Sequence, residues 1–274
     1  MNEITFVGST RFSVINFQSH NFFAFRGQGA SIDDVRRFIF ADDRLDERFR
    51  IFEALVLPCL AVLASRTSKF HHLLLISSDM PAKWQSRLHE ICRGHEWLHI
   101  HHVPFDLSIS KATKEFLKRF QNGRIFNFRL DDDDALASGF CDAVEAAAET
   151  LDDGSVLVFE RGFRLRPLET GRFMLSSKRR ASPSAGLGVL SSANRLIEVY
   201  SLGNHNKVAA VPIARNHPMW IRLMHSSNDS GDGVGHWWSW RHSIRSAAKA
   251  MQPWFVGLDL ERALSSIAIE PLPS

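Results

Sequence analysis

Four consecutive aspartates occupy residues 131–134, directly after a segment of alternating apolar residues. Two carboxylates about 6 Å apart repel by about 3 kcal/mol at an effective dielectric near 20, which suits the end of a strand inside a globular domain. A divalent cation removes this repulsion, and hard cations such as Mg²⁺ and Mn²⁺ prefer carboxylate oxygen. Because side chains alternate along a strand, Asp131 and Asp133 should point to one side. The run therefore predicts a D-x-D site for a metal and a diphosphate.

The alternative interpretation of this run is a solvated acidic turn. Residues 125–130 have the alternating pattern of a buried strand, and the apolar residues 135–151 predict a helix. Carboxylates that lie between two buried elements repel one another more strongly than carboxylates in open solvent. The context therefore favours the metal site.

The composition is typical of a globular enzyme. The 274 residues are 45% hydrophobic and 23% charged, which does not favour disorder and suits one large domain. A net charge of +3 is too mild to indicate a nucleic-acid partner. The three cysteines, Cys59, Cys92 and Cys141, lack a metal or redox spacing and are typical of reduced, buried thiols. Since the sequence shows no signal peptide and no membrane-spanning apolar run, we expect a cytoplasmic protein.

Apolar runs of strand length alternate with segments of helical spacing through the first two-thirds of the chain. The predicted strands are residues 4–15, 71–78, 99–105 and 125–130. The predicted helices are residues 42–65, which Pro58 should kink or split, residues 110–120, and a helix that starts at Asp79-Met80-Pro81 with Asp79 as its cap. An aromatic loop over residues 16–32 follows the first strand. Buried strands separated by helices indicate right-handed βαβ units and a mostly parallel sheet.

The pattern changes after residue 151. Short strands are predicted at residues 156–159, 172–175, 196–200 and 208–213, a polar connection at residues 178–188, and helices at residues 240–251 and 259–267. We therefore predict an α/β fold with a mostly parallel central sheet flanked by helices, and a mixed C-terminal extension. No linker composition divides the chain, so residues 1–274 should form a single domain.

Ligands of open parallel sheets bind beyond the carboxyl ends of the strands. Asp79 and the acidic run each follow a predicted strand, so both should lie at one edge, with Asp79 near a ribose or base. Helix capping explains Asp79 equally well. Arg11, near the end of the first strand, is placed for a bidentate phosphate contact, with an ordinary surface position as the alternative.

Several segments resemble the putative rhamnosyltransferase family, which is similar to glycosyltransferases of the A-type (GT-A) nucleotide-sugar fold. They are Thr10-Arg11-Phe12-Ser13-Val14, residues 45–53 with 57–60, Arg129-Leu130-Asp131-Asp132-Asp133-Asp134-Ala135-Leu136, and residues 219–228. The likeness runs from about Thr10 to Asn228. The aromatic loop over residues 16–32 departs from the family pattern.

The resemblance implies a metal-dependent glycosyltransferase that moves a sugar, with rhamnose as one candidate, from a nucleotide-activated donor to a glycan or another hydroxyl acceptor. It implies that Asp131 and Asp133 form the D-x-D motif and that His225 is a further ligand of the bound Mn²⁺ or Mg²⁺. His205 and His217 are the alternatives to His225 for this ligand. The residues expected to contact the nucleotide are Arg11, Asp79, Asp131 and Asp132. Residues 1–151 would bind the donor, and residues 152–274 would face the acceptor. The mild basic charge of the chain and a glycan acceptor also allow peripheral contact with a membrane.

An inverting transfer also needs a carboxylate base near the acceptor hydroxyl. The C-terminal half offers Glu160, Glu169, Glu198, Asp229 and Asp232, and their spacing selects none of them. We take Glu160, Glu198 and Asp229 as the candidates for this base.

Two other functions stay open at this point. An aspartate-nucleophile phosphatase also has D-x-D after an apolar strand, but its second acidic pair would have to be Asp152-Asp153, which lies between a predicted helix and a strand. The other is a catalytically silent protein that binds a nucleotide or a sugar. Metal-dependent hydrolysis of a nucleotide sugar would exclude the silent protein.

Overall fold

The computed structural model describes residues 4–16, 31–120, 123–168, 171–179, 183–204, 207–225 and 240–268. The strands are β1 Ile4–Phe12, β2 Phe70–Ser77, β3 Leu98–Val103, β4 Arg124–Arg129, β5 Asp134–Leu136, β6 Val156–Val158, β7 Arg161–Leu168, β8 Arg172–Arg179, β9 Gly188–Ser192, β10 Val211–Pro212, β11 Trp220–Leu223 and β12 Trp240–Ser243. The α-helices are α1 Ile32–Ile39, α2 Asp42–Ile51, α3 Leu57–Ala64, α4 Ala82–Arg93, α5 Ile109–Leu117, α6 Phe140–Ala148, α7 Ile244–Met251 and α8 Leu260–Ile267. None of the helices in these ranges is long and apolar enough to cross a membrane.

The four apolar runs predicted as strands in the first half lie side by side as β1 to β4. They belong to a seven-stranded sheet with the order β10-β6-β9-β4-β1-β2-β3. β1 is parallel to β2 and β4, and β2 is parallel to β3. Helices α2, α3, α4 and α6 bury apolar residues on one face, and α5 covers the other. The predicted α/β fold with a mostly parallel central sheet flanked by helices is confirmed, and the carboxyl ends of β1 to β4 share one edge.

A five-stranded sheet with the order β12-β8-β7-β11-β5 forms the mixed extension. β5 comes before residue 151, whereas β9, which comes after it, pairs with β4 in the central sheet. One hydrophobic core contains buried residues of both sheets, from Ile4 to Ile267. The predicted donor and acceptor halves, residues 1–151 and 152–274, therefore interleave in the two sheets.

The predicted helix over residues 135–151 is wrong at its beginning. Asp134–Leu136 is the short strand β5, antiparallel to β11, and α6 starts only at Phe140. Pairing with β11 determines this local structure, although alanine and leucine have high helix propensity. As a consequence, the acidic run connects two strands of different sheets.

The predicted strand over residues 196–200 is also wrong. Val199–Leu202 is one turn of 3₁₀ helix, and the Tyr200 backbone N–H donates to a carboxylate oxygen of Glu198 at 2.7 Å. The Glu198 side chain thereby provides a partner for a backbone N–H that has no acceptor within the first turn of the helix. This cap favours a helical turn over an extended strand at these residues.

Two boundaries near the second sheet differ from the predictions. Residues 240–243 form β12, and α7 starts at Ile244 because Ser243 caps it by accepting from the Ser246 backbone N–H at 3.2 Å. β8 extends to Arg179, so the connection predicted from residue 178 starts later. The sequence pattern also did not predict α1, β7 and β9.

The predicted helix over residues 42–65 is split, as Pro58 requires. α2 and α3 are separated by a π-helical turn, Phe52–Val56. Pro58 has no N–H to donate to the carbonyl group four residues earlier, and its ring displaces that carbonyl. Pro58 lies in the first turn of α3, where this loss is tolerated.

His72 of β2 is buried in the central sheet as a neutral imidazole. Its Nε2 lies 2.8 Å from Thr10 Oγ1, whose hydroxyl donates to the Leu130 carbonyl oxygen at 2.8 Å. Because the hydroxyl hydrogen is used there, Nε2 of His72 carries a hydrogen and donates to Thr10. Burial, and then the neighbouring His99, lowers the pKa of His72 to about 3.

We expect the free energy of unfolding to decrease as the pH falls from about 6.5 toward 3. The unfolded chain protonates His72 near pH 6.5, whereas the folded protein keeps it neutral, so acid favours unfolding by up to about 1.4 kcal/mol per pH unit. Urea denaturation of the wild type and of His72→Gln, at about pH 7.5 and about pH 5, measures the effect. Between these two pH values the variant should lose about 2 kcal/mol less than the wild type. Equal losses in both proteins would contradict a buried neutral His72.

Candidate functional site

The acidic run forms the connection between β4 and β5 at the carboxyl edge of the central sheet. The Leu130 N–H donates to the Ser9 carbonyl oxygen of β1 at 3.1 Å, and the Asp134 N–H donates to the Asp131 carbonyl oxygen at 3.2 Å. The first bond fixes the turn beside β1, and the second closes it. The four carboxylates then meet different partners.

Asp131 is surrounded by basic side chains. Its Oδ1 lies 3.2 Å from Arg129 Nη2 and 3.9 Å from Arg11 Nη2, and Ser184 Oγ donates to its Oδ2 at 3.4 Å. Burial acts to raise the pKa of this carboxyl, but the charges of Arg129, Arg11 and Arg222 outweigh burial and hold the pKa well below its usual range. Asp131 is therefore ionised at neutral pH, and Arg11 lies beside the acidic turn.

Arg11 and Arg129 form a cationic pair over one aromatic ring. Each guanidinium carbon lies 5.8 Å from the centroid of the Tyr200 ring, and the Tyr200 hydroxyl donates to the Ser9 carbonyl oxygen at 3.1 Å. The buried Nε atoms of both arginines have no hydrogen-bond partner among the described residues. Two guanidinium groups converge on the one carboxylate of Asp131, so positive charge is left for a second anion.

Asp132 ties the turn to helix α2. Arg48 Nη1 lies 2.5 Å from each of its carboxylate oxygens, and both side chains are buried. The structure therefore places Asp132, which we expected to contact the nucleotide, in an internal ion pair. Its contribution in this arrangement is to hold the turn against the helix.

Asp133 is hydrogen-bonded to His225, the residue that follows β11 by two positions. His225 Nε2 lies 3.1 Å from Asp133 Oδ2, and Nδ1 lies 3.7 Å from Glu47 Oε2 of α2. Burial acts to lower the pKa of His225, but its contacts with Asp133 and Glu47 outweigh burial and raise the pKa to about 9. An imidazolium held between two carboxylates therefore joins β11, α2 and the acidic turn.

Asp134 is buried, and neither of its carboxylate oxygens has a hydrogen-bond partner among the described residues. Burial raises its pKa well above the usual range, and the charges of Asp133 and Asp131 raise it further. In β-sheet register it lies opposite Arg222 of β11. A buried carboxyl without donors indicates either a retained proton or an additional positive charge at this site.

The predicted metal ligands Asp131, Asp133 and His225 do not form a ready three-ligand site. Asp133 and His225 contact each other, whereas Asp131 faces Arg129. In the part of the chain that the structure describes, no three carboxylate, imidazole or thiol groups are arranged to hold one ion. The donor atoms still suit a hard cation, because Asp131 and Asp133 are partly exposed on one turn and both oxygens of Asp134 lack a donor.

Asp79 follows β2 and therefore lies on the same edge as the acidic turn, two strands away and about 10 Å along the sheet. It does not cap α4, because the capping position is Pro81, so that prediction is wrong. Its carboxylate instead accepts from Arg36 of α1, with Nη2 at 2.7 Å and Nε at 3.1 Å. Asp79 thus fixes α1 over the end of β2.

Two of the base candidates have structural partners. Glu160 accepts from Arg179 Nη2 at 2.9 Å. Glu198 is buried, caps the 3₁₀ turn and accepts from Ser110 Oγ at 2.5 Å. Asp229, together with Glu169, Asp232 and the rival ligand His205, lies outside the described residues.

The remaining alternatives lie away from the acidic turn or have other partners. His217 is exposed in the connection after β10. Asp153, half of the acidic pair that a phosphatase would require, pairs with Arg124 at 3.0 Å. Arg124 begins β4, so this pair lies at the end of the strand opposite to Asp131.

Sequence reasoning missed the two residues of α2 that contact the turn, Glu47 and Arg48. The available signal was helical spacing, because Arg48 lies three residues after Leu45 and one before Phe49, both of which are buried. A charged residue within an apolar stripe needs a buried partner of opposite charge. The acidic run supplies it.

Comparison with known proteins relates the chain to a family. The sequence model of the family described as "Putative rhamnosyl transferase" matches residues 5–236. No curated protein matches the chain.

Three solved structures are similar at low identity. The inositol-1-phosphate CTP transferase from T. maritima is 10% identical, with 85% of this chain and 95% of that chain covered and a TM-score of 0.33. A putative glucose-1-phosphate thymidylyltransferase from Bacillus anthracis in complex with a sucrose is 10% identical, with 70% and 72% covered and a TM-score of 0.29. A UDP-glucose pyrophosphorylase complexed with UDP-glucose is 9% identical, with 70% and 77% covered and a TM-score of 0.28.

Proposed function

The chain belongs to the putative rhamnosyl transferase family, and from this premise we propose that it transfers a sugar, such as rhamnose, from a nucleoside-diphosphate donor to a hydroxyl group of a glycan. The observation that carries the proposal is the acidic turn at the carboxyl edge of the parallel strands. There, the partly exposed Asp131 and Asp133 lie beside the cationic pair of Arg11 and Arg129. Carboxylates suit a divalent cation and guanidinium groups suit phosphate, which are the two requirements of a bound nucleoside diphosphate.

The proposal assigns Mn²⁺ or Mg²⁺ to Asp131 and Asp133. Mg²⁺ is usually held by one or two protein carboxylates and completes its shell with substrate phosphates and water. Two carboxylates without a third protein ligand are consistent with that pattern. When bound, such a cation neutralises charge on the leaving diphosphate.

The transfer breaks the bond between the anomeric carbon and a phosphate oxygen, and the electron pair stays on the diphosphate. The acceptor oxygen forms the new bond to the anomeric carbon and loses its proton to a base. The cationic pair donates hydrogen bonds to phosphate oxygens and stabilises the developing charge. Two buried contacts, Arg48 with Asp132 and His225 with Asp133, hold the turn in place before the donor binds.

His225 has a different role in this proposal from the one that the resemblance implies. Both of its ring nitrogens face carboxylates, Asp133 on one side and Glu47 on the other. We therefore assign His225 as a positioning residue that orients Asp133, in the way that outer-shell partners orient metal-binding carboxylates.

Among the earlier base candidates the proposal retains Asp229. Glu160 and Glu198 are each held by hydrogen bonds from neighbouring side chains. Asp229 comes four residues after His225 in the sequence and lies outside the described residues.

Thermal unfolding with a panel of nucleoside diphosphates and nucleotide sugars, with and without Mn²⁺, tests the proposal. Release of nucleoside diphosphate from the stabilising nucleotide sugar then separates a transferase from a silent binder, because only the enzyme turns the donor over.

A further inference from the structure

The five-stranded sheet has two chemically different faces. Its core side is formed by Phe163, Leu165, Phe173, Leu175 and Ile221, all of which are buried. Strand pairing places four residues in one row across the other face, and they are Asp134 of β5, Arg222 of β11, Arg164 of β7 and Ser176 of β8. Residues that pair across strands share a face, so this row starts at the acidic turn and crosses the sheet.

Neighbouring rows add more cations to the same face. Arg166 pairs with Met174, which in turn pairs with Arg241 of β12, and Lys178 pairs with Gly162. By the same pairing, Arg172 lies opposite Leu168 and Ser243 on this face. The resulting basic face consists of Arg164, Arg166, Arg172, Lys178, Arg222 and Arg241. Asp134 is the single acidic residue in the five strands, and it lies at the edge of this face.

The cations of the basic face lie close together. Burial, and then the charge of Arg164, lowers the pKa of Lys178, so these two groups interact. Arg166 and Arg241 are exposed to solvent. Exposed cations on one surface, such as Arg166 and Arg241, attract a polyanion.

The basic face extends beyond what the two adjacent phosphates of the donor can contact. Adjacent strands are about 4.8 Å apart, so the distance from β5 to β12 is about 19 Å. Arg222, at the inner end, acts electrostatically on both Asp131 and Asp134 and therefore lies beside the proposed donor site. The outer cations extend away from that site toward β12.

We propose that the basic face binds the acceptor and that the acceptor is a negatively charged glycan, with carboxylate or phosphate groups along its chain. This inference rests on the proposed function and names the class of its second substrate. Five of the six cations are arginines, whose planar guanidinium group holds carboxylate or phosphate through two parallel hydrogen bonds. Carboxylates or phosphates repeated along a glycan can meet successive cations of the face.

Fluorescence anisotropy with the full chain tests the inference. The probes are three end-labelled oligosaccharides of equal length: oligogalacturonate, which carries carboxylates, phosphorylated dextran, and neutral dextran. The test variant is Arg166→Gln/Arg241→Gln. The control is Lys111→Gln/Lys114→Gln, which removes the same charge from exposed positions of α5, on the central sheet.

At least one anionic oligosaccharide should bind, more weakly at high salt, and neutral dextran should not. The Arg166→Gln/Arg241→Gln protein should bind it at least about tenfold more weakly, whereas the lysine control should change by less than about twofold. Comparison of the two anionic probes shows whether carboxylate or phosphate is preferred.

Three results would overturn the inference: no preference for anionic over neutral probes, equal losses in both double variants, or tighter binding of anionic lipid vesicles or RNA at this face. Nucleoside-diphosphate binding with Mn²⁺, measured on the same wild-type sample, keeps the two proposals separate. If it is retained while glycan binding fails, only the acceptor inference is wrong. If it is absent, the proposed function fails, whatever the glycan result.

Discussion

The Asp133→Asn protein should turn over donor at least about a hundredfold more slowly than the wild type, the scale for losing one electrostatic stabiliser. The amide keeps the shape of the side chain and can still accept from His225, but it removes the negative charge that the proposal assigns to the cation. The free energy of unfolding without ligand should change by less than about 1 kcal/mol, because relief of repulsion within the acidic run offsets the weaker contact with His225.

The same variant also separates a metal role from a structural one. Stabilisation by Mn²⁺ with a nucleoside diphosphate should shrink in Asp133→Asn and stay unchanged in Asp43→Asn, which removes a carboxylate from an exposed position of α2. His225→Ala should show a weaker version of the same pattern, since Asp133 would remain but lose its orientation. Wild-type activity in Asp133→Asn would exclude metal-dependent transfer at this turn.

The Arg48→Met protein should be less stable than the wild type by about 3–5 kcal/mol, because it leaves the Asp132 carboxylate buried without its partner. Urea denaturation measures the loss. Arg93→Met, at an exposed position of α4, is the matched control and should change the free energy of unfolding by less than about 0.5 kcal/mol.

Adding Asp132→Asn to Arg48→Met should restore part of the lost stability, since the unpaired charge is then removed. A loss below about 1 kcal/mol in the single variant would show that this ion pair does not hold the turn to α2.

The four parallel strands of the central sheet were predictable because they are runs of strand length rich in apolar residues and are separated by amphipathic helices. That pattern is local, so β1 to β4 were recognised from their own residues. β9 was not, because Gly188–Ser192 lies in a stretch rich in glycine and serine and becomes a strand only by pairing with β4 and β6. β5 was mistaken for the start of a helix for a related reason, since its partner β11 lies more than eighty residues later in the chain.

The site was predictable in its carboxylates but not in its cations. The position after β4 placed Asp131 and Asp133 at the carboxyl edge of the sheet, but both lie in a turn, where the alternation of a strand does not apply. The family resemblance selected His225, which the structure brings to Asp133. The contact of Arg48 with Asp132 depends on how α2, which precedes the π-helical turn, packs against the acidic turn, and the local sequence does not specify this packing. The basic face depends on the register of four strand pairs, so no single segment reveals it.

Binding of a nucleoside diphosphate together with a divalent cation is the most direct test of this account. Thermal unfolding of the purified full chain should be recorded with UDP, GDP, CDP, ADP and dTDP, each with Mn²⁺ and with a chelator. At a hundredfold excess over Kd, at least one nucleotide should stabilise the protein by about 2.7 kcal/mol in the presence of Mn²⁺, and by much less with the chelator. If no nucleotide raises Tm under either condition, the acidic turn is not a donor site and the proposed function is wrong.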